Sequence, residues 1–568
     1  MRDFGLRFWR TVWQLMKPYW QSEDKKRALG LLVLIITLNL AGVFLLVKLN
    51  YWNNDFYNAL QNRDFDAFTS LIGDFTLLAF CYILSAVYAL YLRQMLEIKW
   101  RRWLTDRYLT RWLTGRLYYR LQLTGKTDNP DQRIAEDLKL FVQYTLALSI
   151  GFLKAVVTLV SFIFILWQLS GTFTVPVLEI TIPGYMVFIA IAYAAVGTYL
   201  TQRIGRPLIR QNFDQQRYEA DFRYSLIRLR ENCESIAFYR GEAPEGEIFK
   251  KRFANVVDNF WQIMKRQKKL TWFTSGYAQL AIIFPIIIAA PRYFGGQMQL
   301  GGLLQTVNAF GKVQDALSFF IDNYTVFAEW RAVISRLEGF AQHMNEIESA
   351  HDAKCITEGA CVAADKLTVA LPDGTVLAAD LSLTVKAGES LLITGRSGAG
   401  KSTLLRTLAG IWPYGTGKVT RPTESVLFLP QKPYLPLGTL RQALIYPQTK
   451  SPLTDAQLRD ILSQCRLEEL RSRLDEFADW TQILSLGEQE RIAFARVLVA
   501  RPAWLFLDEA TAALDEQTER HLYTLVRESL PKTAIISVGH RSTLTAFHEK
   551  NLSLEGGTWT MRTIEEKE

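Results

Sequence analysis

Six apolar runs occupy most of the first 325 positions of this 568-residue chain, at 28–50, 71–92, 145–170, 180–204, 270–296 and 300–325. A helix needs about 20 apolar residues, each rising about 1.5 Å, to cross the hydrocarbon core of a bilayer. All six runs meet that length, the last with several polar residues inside it. From about residue 365 no such run recurs. Short apolar strands there alternate with helical patterns, as in a soluble α/β domain. The expected organisation is an interfacial N-terminal helix at 1–27, an all-α six-helix transmembrane domain at 28–340, a linker at 341–364 and an α/β domain at 365–568.

Charge then orients the chain. Lys and Arg number seven in 1–27, eleven in 93–144 and fifteen in 203–269, whereas 51–70 holds only Arg63 and 171–179 holds none. Basic loops stay on the cytoplasmic side. Six crossings return the chain to the side where it began, so the N-terminus and the α/β domain are both expected in the cytoplasm. The net charge of +9 then has a topological explanation, and no aromatic-interleaved basic stripe in the soluble half calls for nucleic acid. The first 27 residues lack the apolar core of a signal peptide. Instead Trp9, Val12, Trp13, Met16 and Trp20 recur at helical spacing among Arg7, Arg10 and Lys17, as in a helix lying in the lipid interface. The five cysteines are scattered, which argues against a disulfide framework.

The chemistry sits in the soluble half. GRSGAGKST (395–403) follows the strand-like ESLLIT and precedes the helical LLRTLAG. This is G-x-x-x-x-G-K-[ST] in the strand–loop–helix setting a phosphate loop requires. Gly395, Gly398 and Gly400 let backbone N–H groups turn inward around phosphate oxygens. Lys401 reaches the outer phosphates, and the Ser402 hydroxyl can ligate Mg2+. WLFLDEA (504–510) ends an apolar strand in Asp508 and Glu509, at the edge where α/β sheets bind ligand. Asp508 is expected to hold the metal through water and Glu509 to orient the attacking water. AIISVGHR (534–541) carries His540 at the end of the next apolar strand, in reach of a terminal phosphate. A second anion seat lies in LSLGEQER (484–491), where Ser485 and Gly487 stand at a helix start.

In this order the motifs resemble those of the ATP-binding-cassette transporters, over nearly the whole chain. The resemblance implies an exporter-like type IV membrane fold fused to a P-loop nucleotide-binding domain, with ATP and Mg2+ as cofactors. Gly395, Arg396, Ser397, Gly398, Ala399, Gly400, Lys401, Ser402 and Thr403 match the phosphate loop. Gln431 in LFLPQKPYL matches the Q-loop glutamine, a metal and catalytic position. Asp508 matches the metal carboxylate, Glu509 the catalytic base, AALD (512–515) the D-loop and His540 the switch histidine. LSLGE (484–488) matches the signature, so Ser485, Gly487 and Glu488 are implied to face a nucleotide held by a second copy of the chain. With one of each motif, the chain resembles a half-transporter acting as a homodimer with two shared sites. NPDQRIAEDL (129–138), ENCESIAFYRGE (231–242) and WPYGTGKV (412–419) narrow the likeness. They are similar to the branch containing peroxisomal fatty-acyl transporters, and more so to its BacA-related bacterial members of the cobalamin, bleomycin and antimicrobial-peptide type. That implies a multi-pass protein of the bacterial inner membrane.

Three positions depart from the family pattern. Leu486 stands where the first of two signature glycines is common, and Glu488 where glutamine is common. A carboxylate at 488 hinders phosphate binding unless it points away. Leu371, in LTVALPDGTVL, stands where an aromatic ring usually stacks on adenine, which predicts weak base selectivity and some use of GTP.

For cargo, Gln305, Asn308, Lys312, Asp315 and Asp322 recur along one face of the sixth run. Charged residues at membrane depth usually face a cavity or a bundle interior. This stripe is expected to line the substrate path, with Lys312 and Asp315 paired; the alternative is a pair that locks helices together. Short turns within 219–242 are expected to contact a cassette. The expected activity is ATP-driven transport of peptides or bulky hydrophilic solutes, cobalamin-like ones among them, across the bilayer. Fatty-acyl or other lipid-like cargo is the alternative. A channel, or an anchored ATPase without cargo, fits less well because Glu509 and the polar stripe are both present.

Overall fold

The computed structural model describes residues 2–125, 129–174, 181–349, 354–450, 453–555 and 558–564. It divides into two compact units, Met1–Leu117 with Thr127–Met344, and Tyr118–Lys126 with Asn345–Glu568.

The first unit is helical. Helix α1 spans Arg2–Trp20, α2 Lys25–Asn62, α3 Phe65–Leu113, and a short α4 Leu117–Thr124 continues into the second unit. Then come α5 (Leu138–Ser170), α6 (Tyr185–Glu231), α7 (Cys233–Tyr239), α8 (Glu242–Phe294), α9 (Leu300–Asp322) and α10 (Tyr324–Ser349). The runs at 28–50, 71–92 and 145–170 each lie within one helix, and those at 180–204, 270–296 and 300–325 fall mainly on α6, α8 and α9. Five are long and apolar enough to cross a membrane; α9, with 23 residues, falls outside that set among the described residues because of its polar stripe. The 53 residues of α8 make a rod about 80 Å long, well beyond a bilayer core of about 30 Å. The long helices therefore carry the basic segments out into water.

Large apolar side chains face outward along these helices, including Phe80, Val160 and Leu280. Such a surface suits lipid rather than water. On α1, Val12 and Tyr19 are buried while Trp9 and Trp13 stay exposed, an arrangement suited to an interfacial helix. NPDQRIAEDL contains one π-helical turn, Arg133–Asp137. Asp137 is buried there between two guanidinium groups, Arg133 at 2.6 Å and Arg336 of α10 at 2.6 Å.

The second unit is built on two main sheets, beside a two-residue pairing of Gly438–Thr439 with Phe477–Ala478. The strands of the main sheets are β1 (Lys354–Gly359), β2 (Val362–Ala370), β3 (Val376–Val385), β4 (Ser390–Thr394), β5 (Gly415–Pro422), β6 (Val426–Leu429), β7 (Trp504–Asp508), β8 (Ala534–Val538), β9 (Lys550–Glu555) and β10 (Thr558–Thr563). The larger sheet has the order β10-β9-β4-β8-β7-β6, parallel except for the β9–β10 hairpin. The smaller has the order β1-β5-β2-β3. Strands β7 and β8 are buried at every position, which is why they read as unbroken apolar runs. The stretch 341–364, expected as a linker, holds the end of α10, all of β1 and the start of β2. Strand β1, KCITEG, is short and half polar, so its pattern carried no strand signal; pairing with β5 makes it one.

Candidate nucleotide site

Strand β4 delivers the chain into the phosphate loop at Thr394, and helix α11 (Lys401–Leu408) leaves it. Gly400 caps α11 at φ +87°, and a Cβ there would press on Leu377 at 3.0 Å. Only glycine takes that turn without strain. Lys401 is almost fully buried, and its Nζ donates to the carbonyls of Gly395 at 3.0 Å and Arg396 at 2.9 Å. Burial lowers its pKa, while the Glu509 and Asp508 carboxylates oppose that shift. The ammonium is thus folded against its own loop.

The Ser402 hydroxyl donates to Asp508 Oδ1 at 2.6 Å, and Arg406 lies 3.4 Å from Asp508 Oδ2. Burial raises the Asp508 pKa, and the bond from Ser402 and the charge of Arg406 work against it. Among the described residues no group of three or more His, Cys, Asp or Glu could cage a metal. One hydroxyl and one carboxylate do fit Mg2+, which keeps several waters and takes phosphate oxygens for the rest.

Glu509 follows Asp508 with φ +50°. A left-handed conformation at a non-glycine residue costs of order 1–3 kcal/mol and collects at functional sites. It turns the carboxylate toward two partners: Gln431 Nε2 donates to Oε2 at 3.1 Å, and His540 Nε2 lies 3.1 Å from Oε1. Two residues named from separate motifs, Gln431 and His540, thus converge on the carboxylate of a third, Glu509. Leu371 lies in the tight turn between β2 and β3, partly buried against the core shared by the sheets.

Ser485 caps helix α12 (Leu486–Ala500) in a reciprocal capping box with Glu488. The Glu488 carboxylate accepts from the Ser485 N–H at 2.9 Å and from its hydroxyl at 2.7 Å. The feared negative charge is therefore turned back on its own helix start, and the bond from Ser485 lowers its pKa. No hydrogen bond joins Ser485 or Gly487 to 395–403 among the described residues.

A profile described as ABC transporter transmembrane region 2 matches residues 15–294, and one described as ABC transporter matches 378–512. A protein of Haemophilus influenzae described as an uncharacterized ABC transporter ATP-binding protein is 39% identical over 552 residues, covering 97% of this chain and 93% of that one. The chain belongs to the ABC transporters. This transporter is also 37% identical over 532 residues to the inner membrane ABC transporter ATP-binding protein YddA of Escherichia coli, covering 93% and 94% of the two. It is 28% identical over 606 residues to the human lysosomal cobalamin transporter ABCD4, covering 98% and 97%. A solved bacterial Atm1-family ABC exporter with ATP bound shares its fold, with TM-score 0.72 over 96% of each chain at 19% identity. The transporter pairs one membrane half with one ATPase cassette, and half-transporters of this type act as dimers in a membrane.

Sequence reading missed part of the site. Arg406 contacts Asp508, and the Tyr119 hydroxyl of α4 is buried beside Arg406. Leu123 of α4 packs against the core of the cassette. The expectation placed cassette contacts in 219–242, but the first long loop makes this one. The sequence signal was the four-residue spacing of Leu117 and Leu121, unremarkable until the structure showed both buried. Helix α7 of the second loop ends in Phe238 and Tyr239, both strongly exposed. In α9, Gln305 is buried and Asn308 and Lys312 are partly so, whereas Asp315 and Asp322 are exposed. Among the described residues no ion pair joins Lys312 to Asp315. The spacing i,i+3 puts the two residues on one face, with Lys312 partly buried and Asp315 exposed.

Proposed function

We propose that the transporter couples ATP hydrolysis to movement of a bulky hydrophilic solute across the bacterial inner membrane, working as a homodimer with two ATP sites at the cassette interface. The observation that carries the reading is the convergence of Gln431 and His540 on the strained Glu509 carboxylate, beside Ser402 and Asp508. Lys401 would leave the Gly395 and Arg396 carbonyls for the β- and γ-phosphates of ATP. Magnesium, held by Ser402, Asp508 and Gln431, would supply charge neutralisation on those phosphates. Glu509 accepts a proton from, and so aims, the attacking water, while His540 holds the terminal phosphate. Ser485 and Gly487 face the nucleotide of the other copy, with the hydroxyl of Ser485 exchanging its Glu488 partner for phosphate. Closure of the cassettes on ATP and their release after hydrolysis bias a two-state membrane unit. The N-terminus and cassette face the cytoplasm.

A hydrophilic cargo is supported by the polar face of α9, Gln305 to Asp322, and by the likeness to a cobalamin transporter. Peptides and corrinoids are the first probes. One observation favours the lipid-like alternative. A cavity of about 330 Å³ between α6, α8, α9 and the start of α10 is lined by the polar Gln202 and Arg206 together with the apolar Leu208, Leu270 and Phe320, a lining suited to an anionic amphiphile. The test is ATPase stimulation and vesicle flux with peptides, a corrinoid and an acyl-CoA, in the unmodified transporter and in Glu509→Gln. Flux of a hydrophilic probe that requires Glu509 supports the first reading; flux of acyl-CoA alone would replace it with the second.

A further inference from the structure

Between the signature and the switch histidine lies a buried charge cluster with no part in the steps above. Glu490, fully buried on α12, accepts the Ala513 N–H on both carboxylate oxygens at 3.1 Å. Ala513 is the second residue of the AALD turn. From the opposite side Arg541, which follows His540, donates to the Leu514 carbonyl at 2.7 Å and the Ala512 carbonyl at 3.3 Å. Arg541 also lies 3.6 Å from Glu519. Glu519 is itself buried and accepts from Thr511 and Thr543 at 2.6 Å each. A Cβ at Gly487 would meet Leu514 at 3.4 Å and the Ala513 carbonyl at 3.5 Å, ordinary contact distances that place the signature turn directly against AALD. Burial pushes Glu490 up to about 7; the Ala513 N–H and Arg541 favour its charge, and Glu519 opposes it.

We propose that Glu490 is a positioning residue that ties the signature seat to the AALD turn, so that nucleotide on that seat sets the chain's own Glu509–His540 pair. The inference rests on the shared-nucleotide reading given under Proposed function. Its route is short and rigid. Ser485 and Gly487 begin α12, and Glu490 lies within the next turn of the same helix. A helix cannot shift its N-terminus without carrying Glu490, and Glu490 grips AALD through the Ala513 N–H. The Ala512 N–H in turn bonds the Glu509 carbonyl at 3.1 Å, and the Arg541 backbone continues directly into His540. Both halves of the catalytic pair therefore feel the position of AALD.

Two variants separate bonding from bulk. Glu490→Gln keeps an acceptor for the Ala513 N–H, and Glu490→Met keeps the shape but removes it. ATP hydrolysis by the full-length transporter in lipid nanodiscs is measured against ATP concentration, beside binding of a fluorescent ATP analogue. Glu490→Gln is expected to keep the Hill coefficient of the unmodified protein. Glu490→Met is expected to lower turnover about tenfold and bring the Hill coefficient from about two toward one, with analogue affinity unchanged. If Glu490→Met proves too unstable to purify, Arg541→Gln approaches the turn from its other side and carries the same expectation. A Met or Arg541→Gln variant that stays fully cooperative would overturn the proposal, as would a Gln variant as impaired as the Met one. A Hill coefficient of one in the unmodified transporter would overturn the shared-nucleotide reading itself.

Discussion

The cassette and the membrane unit spend the same apolar residues in opposite directions. In the cassette, every residue of β7 and β8 is buried, and the polar groups are gathered at the strand ends. In the membrane unit, Phe80, Val160 and Leu280 each leave more than 60% of their surface uncovered. Burial is favourable at about 25 cal/mol per Å² only against water; against lipid tails there is little to gain by turning a Leu inward. The difference teaches where precision resides. The cassette fixes catalytic side chains to within hydrogen-bond reach of one another, whereas the membrane unit joins its helices through apolar and aromatic packing around Phe162, Tyr193 and Phe310 and through buried polar knots such as Asp137 between Arg133 and Arg336.

The largest effect should come from the cassette. Glu509→Gln is expected to reduce turnover by about 10²–10⁴-fold, with solute flux lost and the melting temperature unchanged, as read by phosphate release and a thermal melt. A comparable loss of stability would mean that the strained residue holds the fold together. The membrane unit should respond in the other currency. Arg336→Ala strips Asp137 of one guanidinium and should destabilise the unit by about 3 kcal/mol, seen as an earlier melt in detergent, with nucleotide binding intact.

Acid should act on the cassette. His548 is buried between the Leu544 carbonyl at 2.7 Å and the Ser537 hydroxyl at 2.8 Å, and burial lowers its pKa from 6.5 to about 4. Between those values the unfolded chain binds the proton and the folded chain does not. Its contribution is therefore complete above pH 6.5 and is lost as pH falls toward 4, by up to about 3 kcal/mol. His548→Asn should flatten that slope in melts recorded from pH 7.5 to 4.5. The smallest effect concerns the base. Leu371→Tyr should add stacking worth about 1 kcal/mol, read as a several-fold rise in preference for ATP over GTP.

The two regions also differed in how far the sequence disclosed them. Contiguous motifs were legible because their chemistry is local: a phosphate loop needs its glycines and lysine within nine positions, and a strand buried on both faces must be apolar throughout. The helices were legible for a similar reason, since lipid demands long apolar runs. What escaped were pairings between distant segments. Nothing near Glu490 announces Ala513 or Arg541, and Tyr119 gives no hint of Arg406. The Lys312–Asp315 pair failed for the converse reason: spacing in sequence brought the two within reach but could not say which way each head turns. Glu488 is a different case: Ser485-x-x-Glu488 is the capping-box spacing, so the turn of its charge onto Ser485 was legible in the sequence and was passed over.

Sharing of each nucleotide between two copies can be tested directly by cross-linking in a bilayer. Cysteines placed at Ser397 and Ser485, in a Glu509→Gln transporter whose native cysteines are replaced, would be oxidised with and without ATP and Mg2+. The expected result is a dimer-sized cross-linked species that forms only with nucleotide. A cross-link confined to single chains, or none while ATP is trapped, would contradict it.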